Sequence, residues 1–116
     1  MKAVLILCAV LFTASLAEAA TVNLRWNPGT EIDIVGYKLY RATGSCDAPG
    51  AFSTVQVFPV VTNGVDTVSS DGLYCYKLTA FDTGGNESLF SNTAQADVNV
   101  NPPMEPTGLN VQSVLP

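Results

Sequence analysis

Short runs in which apolar and polar residues alternate are the feature that most restricts the fold of this chain. Such runs occur at residues 22–26, 35–40, 55–57, 74–81 and 94–98. A period of two places successive side chains on opposite faces of a β-strand, whereas an amphipathic helix repeats every ~3.6 residues. No stretch after residue 20 has the helical period. The chain is therefore predicted to be all-β, with half-buried strands.

Turn-forming residues separate these runs. They are Asn27-Pro28-Gly29, Asn63-Gly64, residues 82–86 and Pro102-Pro103. Asn63-Gly64 in particular predicts a two-residue β-hairpin, because both residue types tolerate positive φ. Short strands at this spacing are typical of an antiparallel β-sandwich.

The first 19 residues have the pattern of a secretory signal peptide. Lys2 precedes an apolar run at residues 3–12, and Ala17-Glu18-Ala19 fits the small-x-small cleavage site. Residues 1–19 are therefore predicted to be removed, which implies an extracellular or periplasmic location and no membrane span in the mature protein. The alternatives are an uncleaved N-terminal anchor and a lipoprotein modified at Cys8.

The cysteines indicate a disulfide. Of the three in the chain, Cys8 would leave with the signal peptide, and Cys46 and Cys75 would remain in an oxidising compartment. A bridge between them would close a loop of about 30 residues and stabilise the fold by about 3–4 kcal/mol. The alternative is two free buried thiols.

Charge and composition exclude several functions. The net charge of −5, with no basic stripe, argues against binding to nucleic acid or anionic membranes. The absence of histidine removes the commonest general base and metal ligand, so no enzyme activity, cofactor or metal is predicted. Oxygen ligands do cluster at residues 82–87, but the same residues favour a turn over a calcium site.

Three segments together resemble the fibronectin type III family: "TVNLRW", "DIVGYKLYRA" and "GLYCYKLTAFDTGGNESLFSN". In that family a Trp fills the core, a Gly-Tyr-x-x-Tyr strand follows, and a Tyr six residues before an Ala forms the tyrosine corner. Trp26, Gly36–Tyr40, Tyr74 and Ala80 match these positions, and the following turn is similar. The core residues that the resemblance implies are Trp26, Tyr37, Leu39, Tyr74 and Leu78.

The resemblance implies an immunoglobulin-like sandwich, with strands A, B and E in one sheet and C, C′, F and G in the other. It would bring Cys46 close to Cys75 and place Gly36 opposite Phe81. One outward face would carry Tyr40, Lys77, Thr79 and Phe81. That face is a candidate site for a protein or carbohydrate, or simply a set of cross-strand pairs.

The chain departs from the family at its first strand. Cleavage would leave residues 20–100 as the sandwich, with strand A atypical or missing, and residues 101–116 as a tail. The segment Pro106–Val111 nevertheless has the composition of strand A. Three interpretations follow: the tail is a linker, it covers the exposed edge of its own domain, or it enters the next subunit.

In the third interpretation Leu109 and Val111, with Val114 beyond them, would enter a neighbour's core beside Val22 and Leu24. Repeated head to tail, this strand addition would build a filament. The predicted function is thus a secreted, non-catalytic structural or adhesive module whose partner is another protein or itself. The alternatives are a filament subunit that donates its C-terminal strand, and a carbohydrate- or protein-binding module.

Overall fold

The computed structural model describes residues 19–116, and in this range it contains six β-strands and no helix. No part of this range therefore forms a helix that could cross a membrane. The predicted signal peptide lies outside the described residues, apart from Ala19. The strands are β1 (Ala20–Arg25), β2 (Ile34–Thr43), β3 (Ser53–Phe58), β4 (Asn63–Val68), β5 (Gly72–Asp82) and β6 (Ala94–Val98).

The strands form two antiparallel sheets. One sheet pairs β1 with β4, and the other has the order β3-β2-β5-β6. These are the sheets that the resemblance assigns to strands B and E and to C′, C, F and G. The predicted all-β, immunoglobulin-like sandwich is thus confirmed.

The core lies between the two sheets and contains Leu39, Val68, Tyr74, Tyr76 and Val98. Of the five core residues predicted from sequence, the structure buries Tyr37, Leu39 and Tyr74 to 5% exposure or less. Trp26 and Leu78 are only partly buried. The two residues line a groove that the sandwich leaves open, which accounts for their exposure.

Tyr74 makes the hydrogen bond expected of a tyrosine corner. Its hydroxyl donates to the backbone carbonyl of Ser70 over 2.8 Å. This bond fixes the turn before β5 against the strand, and it satisfies the polar end of a side chain that is otherwise buried.

The hairpin predicted at Asn63-Gly64 is wrong. These residues begin β4, while β3 and β4 belong to different sheets and are joined by residues 59–62. Packing explains the glycine instead: a Cβ on Gly64 would lie 2.4 Å from the ring of Phe58. The start of β2 is irregular: the pairing with β5 shifts register between Ile34 and Gly36, and Val35 is 40% exposed.

A disulfide joins Cys46 to Cys75, with the Cα atoms 5.0 Å apart. Cys75 lies on the outward side of β5 opposite Ala42, and it is fully buried. The bridge ties the loop between β2 and β3 to β5, one of the two central strands of the larger sheet. The two cysteines are those that the count predicts.

Candidate assembly groove at the open edge of the sandwich

The outer edge of β1 has no strand beside it anywhere in residues 19–116. The Trp26 amide donates to Thr62 on the β4 side over 2.9 Å. Because backbone groups alternate in direction along an antiparallel strand, those of Thr21, Asn23 and Arg25 point to the open edge. Three consecutive pairs of backbone donors and acceptors are thus available to another strand.

A groove runs along this edge, between β1 and β6. Its lower part, toward the start of β1, has a volume of about 300 Å³ and is lined by Val22, Leu24, Tyr76, Ala94 and Ala96, among others. Its upper part, of about 610 Å³, shares several of these residues and extends past Trp26 and Leu78. Both volumes fall within the range of ligand sites, about 300–1,000 Å³. The interior is therefore accessible where a further strand would cover it.

Leu89 stands at the upper end of this groove. It lies in the loop between β5 and β6, lines the groove, and is 93% exposed. The serines flanking this part of the loop bond to β5 where β6 no longer reaches: Ser88 and Ser91 donate their amides to Ala80 and Leu78, each over 2.8 Å. The loop is thus fixed to the sheet while Leu89 remains uncovered. Sequence reasoning did not identify Leu89.

The C-terminal segment after residue 100 forms no strand and is exposed throughout. Leu109 is 98% exposed, Val111 77% and Val114 86%. The described part of the chain thus contains both an uncovered apolar groove and an uncovered apolar segment, and the structure does not bring them together.

The tail leaves the sandwich at the pole where β1 begins. Ala20, the first residue of β1, pairs with Val68 at the end of β4, and Val98, the last residue of β6, pairs with Gly72 at the start of β5. The loop of residues 69–71 joins β4 to β5, so all four strand ends lie at the same end, or pole, of the sandwich. Asp71 in this loop accepts a hydrogen bond from the Val100 amide over 2.6 Å and another from the side chain of Asn101. The first residues of the tail are therefore held at this pole.

An ion pair between a buried carboxylate, Asp66, and a partly exposed guanidinium, Arg41, connects the two sheets. Asp66 on β4 is 2% exposed and accepts hydrogen bonds from Arg41 on β2, at 2.7 Å, and from the Tyr76 hydroxyl on β5, at 2.8 Å. Burial, followed by the adjacent carboxylate, raises the pKa of Tyr76. Burial alone would lower the pKa of Arg41, but the hydrogen bond and charge of Asp66 raise it.

Sequence reasoning did not predict a partner for Asp66. A signal was present, since Asp66 is two residues before Val68 and Arg41 is two residues after Leu39, so both fall in the inward phase of their strands. The alternation predicts an inward position but not the partner across the core.

Loop residues cover the predicted binding face on the four-stranded sheet. Lys77 and Tyr40 are directly opposite each other, and Phe90 lies against both, with ring centroids 5.1 Å apart for Tyr40–Phe90. The Lys77 ammonium is 3.7 Å from the Phe90 centroid and 4.0 Å from that of Phe52. Phe81 lies over Gly36, as predicted from their pairing, with its ring 2.7 Å from a Cβ built on the glycine. The face is aromatic, but much of it is already in contact with the protein's own loops.

Glu87 completes this cover. Its carboxylate accepts hydrogen bonds from the hydroxyls of Tyr40 and Thr79 and pairs with Lys38 at 3.5 Å. These contacts, with the Tyr40 bond the strongest cause, lower the pKa of Glu87. Phe52, Phe90 and Glu87 were all missed by sequence reasoning, because loop residues have no period that predicts which face they cover.

The acidic turn after β5 uses its own oxygens. Asp82 accepts hydrogen bonds from the amides of Gly84 and Asn86, each over 2.9 Å, and these bonds lower its pKa, the Asn86 bond most. Gly85 takes a φ of +80°, which glycine adopts without strain. No group of three or more potential metal-binding residues is present in the described range.

No protein-family model matches the chain, and no curated protein matches it. Solved structures do. A fibronectin type III-like protein from Clostridium thermocellum is 32% identical, with a TM-score of 0.52, over 65% of this chain and 73% of that one. A fibronectin type III domain of a human protein is 20% identical, with a TM-score of 0.56, over 86% and 79% of the two chains. The second supports the fold alone. Together with the sheet topology, the first establishes that the chain belongs to the fibronectin type III domain family.

Proposed function

We propose that this protein is a secreted structural module that assembles head to tail, each copy donating its C-terminal segment to the open β1 edge of the next. The observation that carries the proposal is the coexistence of an apolar groove beside β1 and an exposed apolar segment at residues 106–114. Strand addition to a free edge supplies backbone hydrogen bonds along the strand and a site for alternate side chains.

An open edge beside a groove this large favours a partner. Unpaired strand edges promote non-specific association, and proteins normally shield them with charge, proline or a covering segment. On β1 only Arg25 is charged, at the last position of the strand. The donated segment would bury Leu109 and Val111 against Val22 and Leu24, and the two faces of the new ladder would be apolar inside and polar outside.

A non-catalytic role fits the chemistry of the described residues. Asp66 is neutralised by Arg41, Glu87 is bonded to Tyr40 and Thr79, and Asp82 caps its own turn. These three carboxylates therefore stabilise the fold. Membership of the fibronectin type III family points in the same direction, because its members are typically non-catalytic modules.

The outer face around Tyr40, Lys77 and Phe81 supports a second function less well. A carbohydrate- or protein-binding face needs exposed, contiguous aromatic surface, and here Tyr40, Lys77 and Phe81 are only partly exposed, with the rings of Phe90 and Phe52 packed against the Lys77 ammonium. The groove beside β1 has no such cover. Self-assembly is accordingly the preferred function, and adhesion to a different protein is the alternative function.

Size-exclusion chromatography with light scattering tests the proposal on two chains that both begin at Ala20. One chain extends to Pro116, and the other ends at Val100. All six strands precede Asn99, so the shorter chain retains the whole sandwich. We expect concentration-dependent oligomers of the longer chain and monomers of the shorter one.

Point variants separate the apolar contact from the tail as a whole. Leu109→Asp should abolish the oligomers, while the matched control Asn110→Asp, whose side chain would face solvent, should retain them. If both chain lengths are monomers of equal stability, the tail is a linker and the proposal fails. If both are monomers and the shorter one is less stable, the tail covers its own domain.

A further inference from the structure

The direction and register of the donated segment can also be derived, and this inference rests on the proposed function. We infer that the groove receives residues 106–112 of a second copy antiparallel to β1, entering beside Leu89 and leaving at the pole where β1 begins. The partner is thus another molecule of this chain, held in one orientation.

The length of the tail prevents the same chain from making this contact. Asn101 is held at the pole where β1 starts, whereas an antiparallel strand must enter near Trp26, at the other pole. The six Cα–Cα steps from Asn101 to Thr107 extend at most about 22 Å. The path along β1, about 17–20 Å, and across to the other sheet, about 10 Å away, is about 20–22 Å in a straight line, so a fully extended tail has no length left for the reversal that an antiparallel strand needs. A chain could lay its own tail only parallel to β1.

Stacking copies head to tail removes this restriction. The pole from which one tail emerges would then meet the loop-bearing pole of the next copy, where Trp26 and Leu89 mark the upper end of the groove. The donated segment would run downward from there. Every strand pair in the described sandwich is antiparallel, so this direction continues the existing pattern.

The two alternations fix which side chains face inward, and the position of Pro106, which must lie outside the ladder, selects the register. The edge-facing backbone groups of β1 belong to Thr21, Asn23 and Arg25, whose side chains point to solvent. Opposite them the segment offers Gln112, Asn110 and Gly108, which have backbone amides and no apolar side chain. This register places Leu109 beside Leu24 and Val111 beside Val22, inside the groove. The prolines at 102, 103 and 106, which lack an N–H, fall outside the ladder.

Engineered cysteines in the full chain test direction and copy together. In an antiparallel strand Gln112 lies opposite Thr21, with Cα atoms about 5.5 Å apart, which a disulfide can span. In a parallel strand Gln112 would instead approach Arg25. We expect Thr21→Cys/Gln112→Cys to give a ladder of covalent multimers on a non-reducing gel, and Arg25→Cys/Gln112→Cys to give none.

The other outcomes are distinct. A ladder from the Arg25 pair, or an internal disulfide in a monomer, overturns the inference. Oligomers in light scattering with no ladder from either pair contradict the register and leave the proposed function intact. Monomers in light scattering contradict the proposed function itself, and the inference falls with it.

Leu89 provides a second test that does not depend on added cysteines. Leu89→Asp should raise the concentration at which half the molecules are assembled by about tenfold or more, because the donated strand would bury this side chain. Val65 on the outer face of β4 is the control, since it is an exposed apolar residue, at 47%, that lies away from both poles and does not line the groove. Equal effects of Leu89→Asp and Val65→Asp would overturn the entry point at Leu89.

Discussion

The two sheets of this protein differ in how far the chain completes them. Loops cover the outer face of the four-stranded sheet through Phe52 and Phe90, and a disulfide ties one of these loops to the central strand. The two-stranded sheet has no such cover: Val65 on its outer face is 47% exposed, and the edge of β1 is open within residues 19–116. This difference is the basis of our proposal that the two-stranded sheet is completed by an additional strand.

The ion pair between Arg41 and Asp66 is a polar contact between the four-stranded and the two-stranded sheet. Removing one member of a buried ion pair leaves a desolvated charge, at a cost of about 3–5 kcal/mol. We therefore expect Arg41→Met to have the largest effect, a loss of about that size in the free energy of unfolding, measured by urea denaturation.

Two further variants make this measurement specific. Arg25→Met removes an exposed charge at the end of β1 and should change stability by less than about 0.5 kcal/mol. Adding Asp66→Asn to Arg41→Met removes the uncompensated charge and should recover part of the loss. Similar values for Arg41→Met and Arg25→Met would show that the buried pair does not connect the sheets energetically.

The disulfide, which lies at the four-stranded sheet, should contribute nearly as much to the free energy of unfolding. Replacing both Cys46 and Cys75 by alanine should lower the free energy of unfolding by about 3–4 kcal/mol, because the unfolded chain regains the freedom of the closed loop. Hydrogen exchange should then accelerate in the loop between β2 and β3, with little change in β1 relative to the global stability. A loss below 1 kcal/mol would contradict the stabilising role of the bridge.

Glu87 should have the smallest effect, with a pH dependence that identifies it. Its pKa is lowered in the folded state, so its stabilisation is complete above the ordinary glutamate pKa and is lost as the pH falls through the lowered value. Glu87→Gln should thus be less stable than the wild type at neutral pH, by less than about 1 kcal/mol, and this difference should shrink as the pH falls below the ordinary glutamate pKa and vanish below the lowered one.

Thermal unfolding at several pH values measures this convergence. Asp97→Asn is a suitable control, because Asp97 is exposed and its carboxylate accepts no hydrogen bond from the described residues. A constant difference between Glu87→Gln and the wild type from pH 7 to pH 3 would mean that the covering contacts do not depend on the charge.

Sequence reasoning predicted those parts of the molecule that follow a period or a known pattern. Alternation identified β1, β2, β3, β5 and β6, and the resemblance placed Tyr74 at its corner and Phe81 over Gly36. These features depend on residues close in sequence or on strand neighbours that the family fixes.

The parts that were missed depend on residues that meet only after folding. Asp66 finds Arg41 across the core, and Phe58 fills the space of a Gly64 side chain from the other sheet. The groove itself could be anticipated only as a missing strand, because its depth depends on how far Trp26 and Leu78 stay uncovered.

Binding of the tail to the sandwich is the most direct test of the central claim. We would label the chain from Ala20 to Val100 with 15N and titrate it with a peptide of residues 101–116. The account predicts that the amides of Thr21, Asn23 and Arg25 and the indole of Trp26, the only tryptophan, shift and gain exchange protection. No change at β1, or changes confined to the face around Tyr40 and Phe81, would contradict it.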